Sequence, residues 1–327
     1  MSAPAPAPAP ALIVVPPDLP RDWLDPVFDH PGLEVIVGLD ALPEARQPEL
    51  VGLMCLLSTP IDEALLSRFP ALRVVANVAV GYDNVDTAAC LRHGVRVGNT
   101  PGVLTDATAD LAMTLLLAAA RGLVEAREDA LAGRWQKWKP DRWLGVELRG
   151  AKLGVVGLGQ IGYAVARRAS AFGMDILYHS RSPKPEAERS LGARRCTLDE
   201  LLAASDFVSL HVPLSPETHR LIDAAALARM KPTATLINTA RGAVLDQDAL
   251  IAALHAGRLR AAALDVTEPE PLPPEHPLFS APRCLVLPHV GSATATTRRR
   301  MTELACANLI AGVEGRALPA AIDLGAG

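Results

Sequence analysis

Residues 152–162, KLGVVGLGQIG, restrict the fold more than any other stretch of the chain. A strand-like apolar run leads straight into Gly157, Gly159 and Gly162, and a helical pattern opens directly behind them. Each glycine of the G-x-G-x-x-G spacing has its own physical reason. The first allows a tight turn, the second lets backbone approach a pyrophosphate, and the third lets helix and strand pack closely. The helix N-terminus, at Gln160 and Ile161, then offers unpaired N–H groups to the phosphates. The bare spacing also occurs in turns kept only for packing. A strand before it and a helix after it make it a dinucleotide site and demand a parallel βαβ unit around it.

The rest of the chain supplies that unit twice. ALIVV (11–15), LEVIVG (33–38), GLMCLL (52–57) and RVVANV (73–78) read as short strands, with a helical IDEALLSRF (61–69) between the last two. An apolar helix follows over 105–121, with Thr105 and Asp106 as candidate N-caps. The second series has strands at 152–157, 175–180, 207–212, 234–240, 260–266 and 284–290, and helices at 160–172, 198–204, 223–229 and 246–256. Thr197 and Glu200 are spaced as a capping box, and a last helix covers about 293–314. The fold class is α/β, with two doubly wound parallel-sheet domains around a cleft.

A dinucleotide site of this type keeps an acid about 20 residues beyond the glycines, where it binds the ribose 2′-hydroxyl of NAD. Here ILYHSRS (176–182) places Ser180, Arg181 and Ser182 at that point, with Lys184 just beyond. An aspartate would repel a 2′-phosphate, whereas Arg181 can pair with one through its planar fork. The segment favours NADP(H) and leaves NAD(H) possible, with Arg181 as a solvated loop residue.

Three residues late in the chain bear chemistry: Arg241 in NTARGAVL, Glu270 in DVTEPEP and His289 in LPHVGSAT. Arg241 and Glu270 follow predicted strands and His289 stands at the end of one, at the carboxyl ends where ligands bind in open α/β sheets. Histidine exchanges a proton near neutral pH, and a carboxylate beside it orients the ring and favours its protonated form. Arginine binds a carboxylate or polarises a carbonyl. Beside a nicotinamide, the set suits reduction of a 2-keto acid, with His289 giving the proton. Singly, each has a bland reading: a structural histidine, an Arg-Gly turn, a rigid proline-rich loop.

Net charge is −4 over 327 residues, which gives no general basic surface for nucleic acid. The five cysteines are scattered without metal-ligand or dithiol spacing, so no metal is expected and a reduced, cytoplasmic setting is. The apolar run 111–120 is too short to span a membrane, which takes about 20 residues. The opening MSAPAPAPAPA lacks the pattern of a signal peptide, and residues 1–10 read as a disordered Ala-Pro tail.

GLGQIG, NTARGAVLDQDAL, AALDVTEPEPLPPEHPLF and LPHVGSAT, in this order, resemble the D-isomer-specific 2-hydroxyacid dehydrogenase family over nearly all of the chain after the tail. NTPGVLTDATADLAMTLLLAAAR (99–121) and WQKWKP point to its glyoxylate/hydroxypyruvate reductase branch. The resemblance implies a Rossmann-type cofactor domain over 102–291 and a flavodoxin-like substrate domain over 11–101 completed by 292–327. Hinges fall near 101 and 290. It further implies Arg241, Glu270 and His289 as the catalytic set. The amides of Val80 and Gly81 would grip the substrate carboxylate, Leu56 would line the pocket, and Asp265 and Thr108 would meet the nicotinamide. Trp138 would reach the partner's pocket in a homodimer, or pack an interface with Trp135 and Trp143. No regulatory domain is expected after the last helix. The expected reaction is NADPH-dependent reduction of glyoxylate and hydroxypyruvate to glycolate and D-glycerate. The same chemistry on phenylpyruvate or phosphohydroxypyruvate is one alternative, and a dinucleotide-sensing binding protein is another.

Overall fold

The structure is a computed structural model that describes residues 9–325. The expected Ala-Pro tail lies outside the described residues except for Ala9 and Pro10, which are exposed and irregular. The chain divides into two compact units, Met1–Leu104 with Thr294–Gly327, and Thr105–Ala293.

The first unit is built on strands β1 (Ala11–Val15), β2 (Leu33–Val37), β3 (Leu50–Cys55), β4 (Val74–Asn77) and β5 (Arg96–Gly98). All pair in parallel, in the order β2-β1-β3-β4-β5. This is the flavodoxin-like order. Every residue of β4 is buried, as a strand covered on both faces requires, which is why its sequence is a continuous run rather than an alternation. Helices α1 (Asp25–Phe28), α2 (Glu63–Arg68) and α3 (Thr87–Arg92) connect the strands. The Asp62 and Asp86 side chains cap α2 and α3 by accepting the Leu65 and Ala89 N–H groups. The closing helix Ala295–Val313 lies hard against this sheet. A Cβ at Gly312 would come within 2.4 Å of Val74, and one at Gly98 within 2.6 Å of Asn308. Asn308 is wholly buried and joins the helix to its surroundings, donating to the Asn99 carbonyl and accepting from the Ala320 N–H.

The second unit holds β6 (Lys152–Val156), β7 (Asp175–His179), β8 (Arg194–Arg195), β9 (Phe207–Leu210), β10 (Thr235–Asn238), β11 (Ala261–Leu264) and β12 (Cys284–Val286). Their order is β12-β11-β10-β9-β6-β7-β8, again all parallel. The chain runs outward from β6 through β7 to β8, then returns to β9 on the other side of β6 and runs on to β12. The strand order therefore reverses at β6, the switch point where such sheets bind ligands. Helices α4 (Thr105–Arg121), α5 (Leu123–Leu131), α6 (Gln160–Ala171), α7 (Pro185–Leu191), α8 (Leu198–Ala204), α9 (Ala224–Arg229) and α10 (Gln247–His255) complete the unit. One apolar cluster joins α4 and α6 to the sheet through Leu115, Leu116, Val155, Val165 and Tyr178. A second joins α8, α9 and α10 to it through Leu201, Val208, Leu227, Leu236 and Leu250.

Most expected elements form with ends shifted by no more than two residues, but the strand expected at 284–290 ends at Val286, so His289 stands in the turn beyond it. The Thr197–Glu200 capping box is present at the start of α8. Thr105 and Asp106 do not cap α4: the helix already includes both, and Asp106 instead pairs with Arg168 on α6 at 2.9 Å. The strand expected at 52–57 begins two residues earlier and ends at Cys55, so Leu56 stands in the loop beyond it. Strands β5 and β8 were not foreseen, because three and two residues carry no readable alternation. Among the described residues no single helix is long and apolar enough to cross a membrane.

Candidate active site

The turn between β6 and α6 gives each motif glycine a distinct job. Gly157 sits at φ +94°, and a Cβ there would lie 2.6 Å from the His211 carbonyl oxygen. Gly162 backs onto the same turn, with a Cβ falling 2.1 Å from the Gly157 carbonyl oxygen. Gly159 is different. Nothing lies within 4 Å of its Cβ position, and it stands at the N-cap of α6 with no side-chain cap. Gln160 and Ile161 open the helix behind it, and its first turn has no acid. Open space in front of an uncapped helix start at the switch point is the shape a pyrophosphate fills, so these residues fit a dinucleotide.

The segment after β7 is a braced loop. The Ser180 hydroxyl donates to the Ser182 carbonyl at 2.6 Å, so its one proton is turned inward. The buried Tyr178 phenol receives the Lys184 N–H at 2.8 Å and donates to Glu188 at 2.6 Å. Arg181 carries the loop's exposed charge. Across from it, the Ser215 hydroxyl, and more weakly Arg181, hold the Glu217 carboxyl below its ordinary value.

Arg241, Glu270 and His289 all leave the carboxyl ends of neighbouring strands: β10, β11 and β12. Glu270 and His289 meet directly, with Oε2 and Nδ1 2.8 Å apart. The other carboxylate oxygen accepts the Thr267 N–H at 2.9 Å. Burial pushes the Glu270 carboxyl up, but the His289 and Thr267 hydrogen bonds and the charges of His289 and Arg241 outweigh it and hold it below its usual value. An ionised Glu270 obliges Nδ1 to be the donor, which leaves Nε2 to exchange a proton elsewhere.

The backbone beneath these side chains is tightly specified. His289 is in the left-handed region at φ +52°, which costs about 1 kcal/mol for a residue other than glycine. Asp265 offsets this by holding the turn at three points. Its carbonyl accepts the His289 N–H at 2.9 Å, and its two carboxylate oxygens accept Val290 N–H at 2.7 Å and Gly291 N–H at 2.8 Å. Burial raises the Asp265 carboxyl against these bonds and the charge of His289. Thr108, buried on α4, lies against the same turn, 3.5 Å from the Cβ position of Gly291. Gly242, next to Arg241, sits where a Cβ would fall 2.0 Å from the Thr267 carbonyl carbon, so the Arg241 turn presses on the Glu270 turn. Buried Asn238 shapes the Arg241 turn by donating to the Arg241 carbonyl and accepting the Ala240 N–H.

In the first unit, the carbonyls of Val80 and Gly81 are taken by Asn99 and Asn77 at 2.8 and 3.0 Å. Neither amide donates to another backbone group among the described residues. Leu56 is half-buried after β3, beside a small hollow that includes Val14, Ser58 and Thr59. The three tryptophans differ. Trp143 donates to Asp129 at 2.9 Å, whereas Trp135 and Trp138 are 65% and 80% exposed.

The sequence profile described as D-isomer specific 2-hydroxyacid dehydrogenase, NAD binding domain, matches residues 113–291. The chain belongs to this family. It is 50% identical over 313 residues to the glyoxylate reductase of Thermococcus kodakarensis, covering 93% of this chain and 94% of that protein. Among solved structures it resembles an NADPH-dependent glyoxylate/hydroxypyruvate reductase from Sinorhizobium meliloti, bound to NADP and malonate. The TM-score is 0.86 at 34% identity, over 97% of this chain and 98% of that one. A D-lactate dehydrogenase from Aquifex aeolicus, complexed with NAD and lactic acid, gives a TM-score of 0.85 at 26% identity over 93% and 96%. The chain is thus an oxidoreductase acting on CH–OH groups, and the expected fold class holds.

Sequence reading missed several supports of the site. Gln247 clasps Glu268 by accepting its N–H at 2.9 Å and donating to its carbonyl. His211, after β9, bonds Ser209 at 2.8 Å, and burial pushes it down to about 4, so it stays neutral. The available signal was a polar residue at the carboxyl end of an apolar strand, which marks Asn238 and His211 alike.

Proposed function

We propose that the chain reduces glyoxylate and hydroxypyruvate to glycolate and D-glycerate with NADPH, with His289 as proton donor. The observation that carries this is the His289–Glu270 pair at 2.8 Å in the unit that also holds an uncapped, glycine-lined helix start. The relatives named glyoxylate reductase and the NADPH-dependent neighbour support it.

A bound nicotinamide supplies hydride to the carbonyl carbon. His289 delivers a proton from Nε2 to the carbonyl oxygen, because Glu270 fixes Nδ1 as the inward donor. Arg241 holds the substrate carboxylate and polarises the carbonyl. The amides of Val80 and Gly81 are the further donors assigned to the carboxylate, with Leu56 and the partner's copy of Trp138 shaping the pocket. Thr108 and Asp265 would hold the nicotinamide, and Arg181 with the Ser182 hydroxyl would receive the 2′-phosphate, while Ser180 braces the loop that carries them. Trp135, Trp138, Leu123, Leu131 and Leu144, all within residues 123–144, are exposed apolar side chains of the kind a homodimer would cover. The compartment assigned is the cytoplasm, from the free cysteines.

The test separates chemistry from binding. His289→Ala lowers the glyoxylate reduction rate by about 10²-fold or more, while its NADPH affinity, read by quenching of protein fluorescence, stays within about twofold. Near-normal turnover by that variant would remove His289 from the proton-donor role.

A further inference from the structure

The NADPH reading rests so far on Arg181, but a second guanidinium is built into the same loop. Arg195 lies on the edge strand β8, directly opposite Tyr178 in the register of β7. Its Nη2 donates to the carbonyls of both Ser180 and Arg181, at 3.0 and 2.9 Å. Those residues are fifteen and fourteen positions away, so no local sequence pattern announces the contact. Nε and Nη1 make no hydrogen bond among the described residues. The far end of the loop is held independently, by the Tyr178 phenol on the Lys184 N–H. Both ends are therefore fixed, and a cationic group sits under the backbone at the point where the expected acid is missing.

We propose that Arg195 is a second specificity-determining residue for the 2′-phosphate. It acts in two ways. It holds the Ser180 and Arg181 carbonyls back, which leaves the Arg181 side chain on the open face of the loop. It also adds a positive charge with unspent donors next to Arg181. Two fixed cations suit a group carrying nearly two negative charges. A loop already in its bound shape loses little entropy on binding. This inference depends on the NADP(H) reading above and refines it.

The experiment uses the full chain and needs no turnover. Binding of 2′,5′-ADP and of 5′-AMP is measured by calorimetry for the wild type, Arg195→Ala and Arg195→Gln, at low and moderate salt. The wild type is expected to prefer 2′,5′-ADP. Both variants should weaken 2′,5′-ADP about tenfold, leave 5′-AMP within about twofold, and flatten the salt dependence of 2′,5′-ADP binding. Equal losses for both ligands would overturn the proposal, since Arg195 would then only support the loop. An undiminished preference in the variants would overturn it too, while leaving the NADP(H) reading standing. A wild type that binds 5′-AMP as tightly as 2′,5′-ADP would overturn the NADP(H) reading itself, and this proposal with it.

Discussion

His289 and Glu270 make the pH dependence of the reaction a direct test of their pairing. On the proposed mechanism reduction consumes a proton that His289 gives, and Glu270 orients the ring for it. Glu270 is held below the ordinary carboxylate value and is therefore ionised through the neutral range. It therefore keeps Nδ1 as the donor and fixes the ring. Glu270→Gln removes that charge without removing the side chain. Reduction should slow about tenfold or more, and the wild type's loss of rate as pH falls through the lowered Glu270 value should be absent from the variant. A variant as fast as the wild type, or one that keeps the acid limb, would show that Glu270 does not orient His289. At this scale the sequence revealed which residues bear chemistry, because a cation, an acid and an imidazole each follow an apolar strand. It did not reveal what holds them. The Asp265 carboxylate reaches Val290 and Gly291, twenty-five and twenty-six residues on, and distance in sequence erases that signal. Ser180 stands in the sequence where the acid is missing, and its proton is turned onto Ser182.

Among the turns, the glycines separate packing from binding. Gly242→Ala places a methyl 2.0 Å from the Thr267 carbonyl carbon, where only backbone could move. It should destabilise the protein by about 3 kcal/mol and disorder the Arg241 and Glu270 turns together. Gly159→Ala meets nothing within 4 Å, and its φ of −81° suits alanine. It should leave the denaturation midpoint nearly unchanged while weakening dinucleotide binding. Urea unfolding and cofactor titration of both variants check this, and a Gly159→Ala protein as unstable as Gly242→Ala would contradict it. In the sequence Gly159 already read as the glycine that lets backbone approach a pyrophosphate, whereas Gly242 carried no such signal. G-x-G-x-x-G has a readable spacing because its contacts are local to one βα turn. The Arg-Gly pair at 241–242 looked like an ordinary turn because its obstacle comes from a different strand. The short elements β5 and β8 escaped for a related reason: they exist because neighbouring strands template them.

The whole molecule repeats one plan, a parallel sheet with helices on its connections, in two strand orders: 2-1-3-4-5 in the first unit and a longer order reversing at β6 in the second. Alternating apolar runs and helical stretches sufficed to read that class. Strand order could not be read, because parallel strands covered on both faces all carry the same apolar pattern. Family membership follows from sequence and fold together, and it makes the chain an oxidoreductase. Choice of cofactor and substrate is a finer property, which the proposed reading assigns to a few side chains at the loop after β7 and around His289. The measurement that reaches it most directly is steady-state reduction of glyoxylate and hydroxypyruvate with NADPH and NADH side by side. The account predicts turnover of both substrates with kcat/KM at least about tenfold higher for NADPH, the effect of one charge-assisted contact. Equal or better turnover with NADH would contradict the reading of Ser180, Arg181 and Ser182. Tight nucleotide binding with no reduction of either keto acid would contradict the assigned substrates.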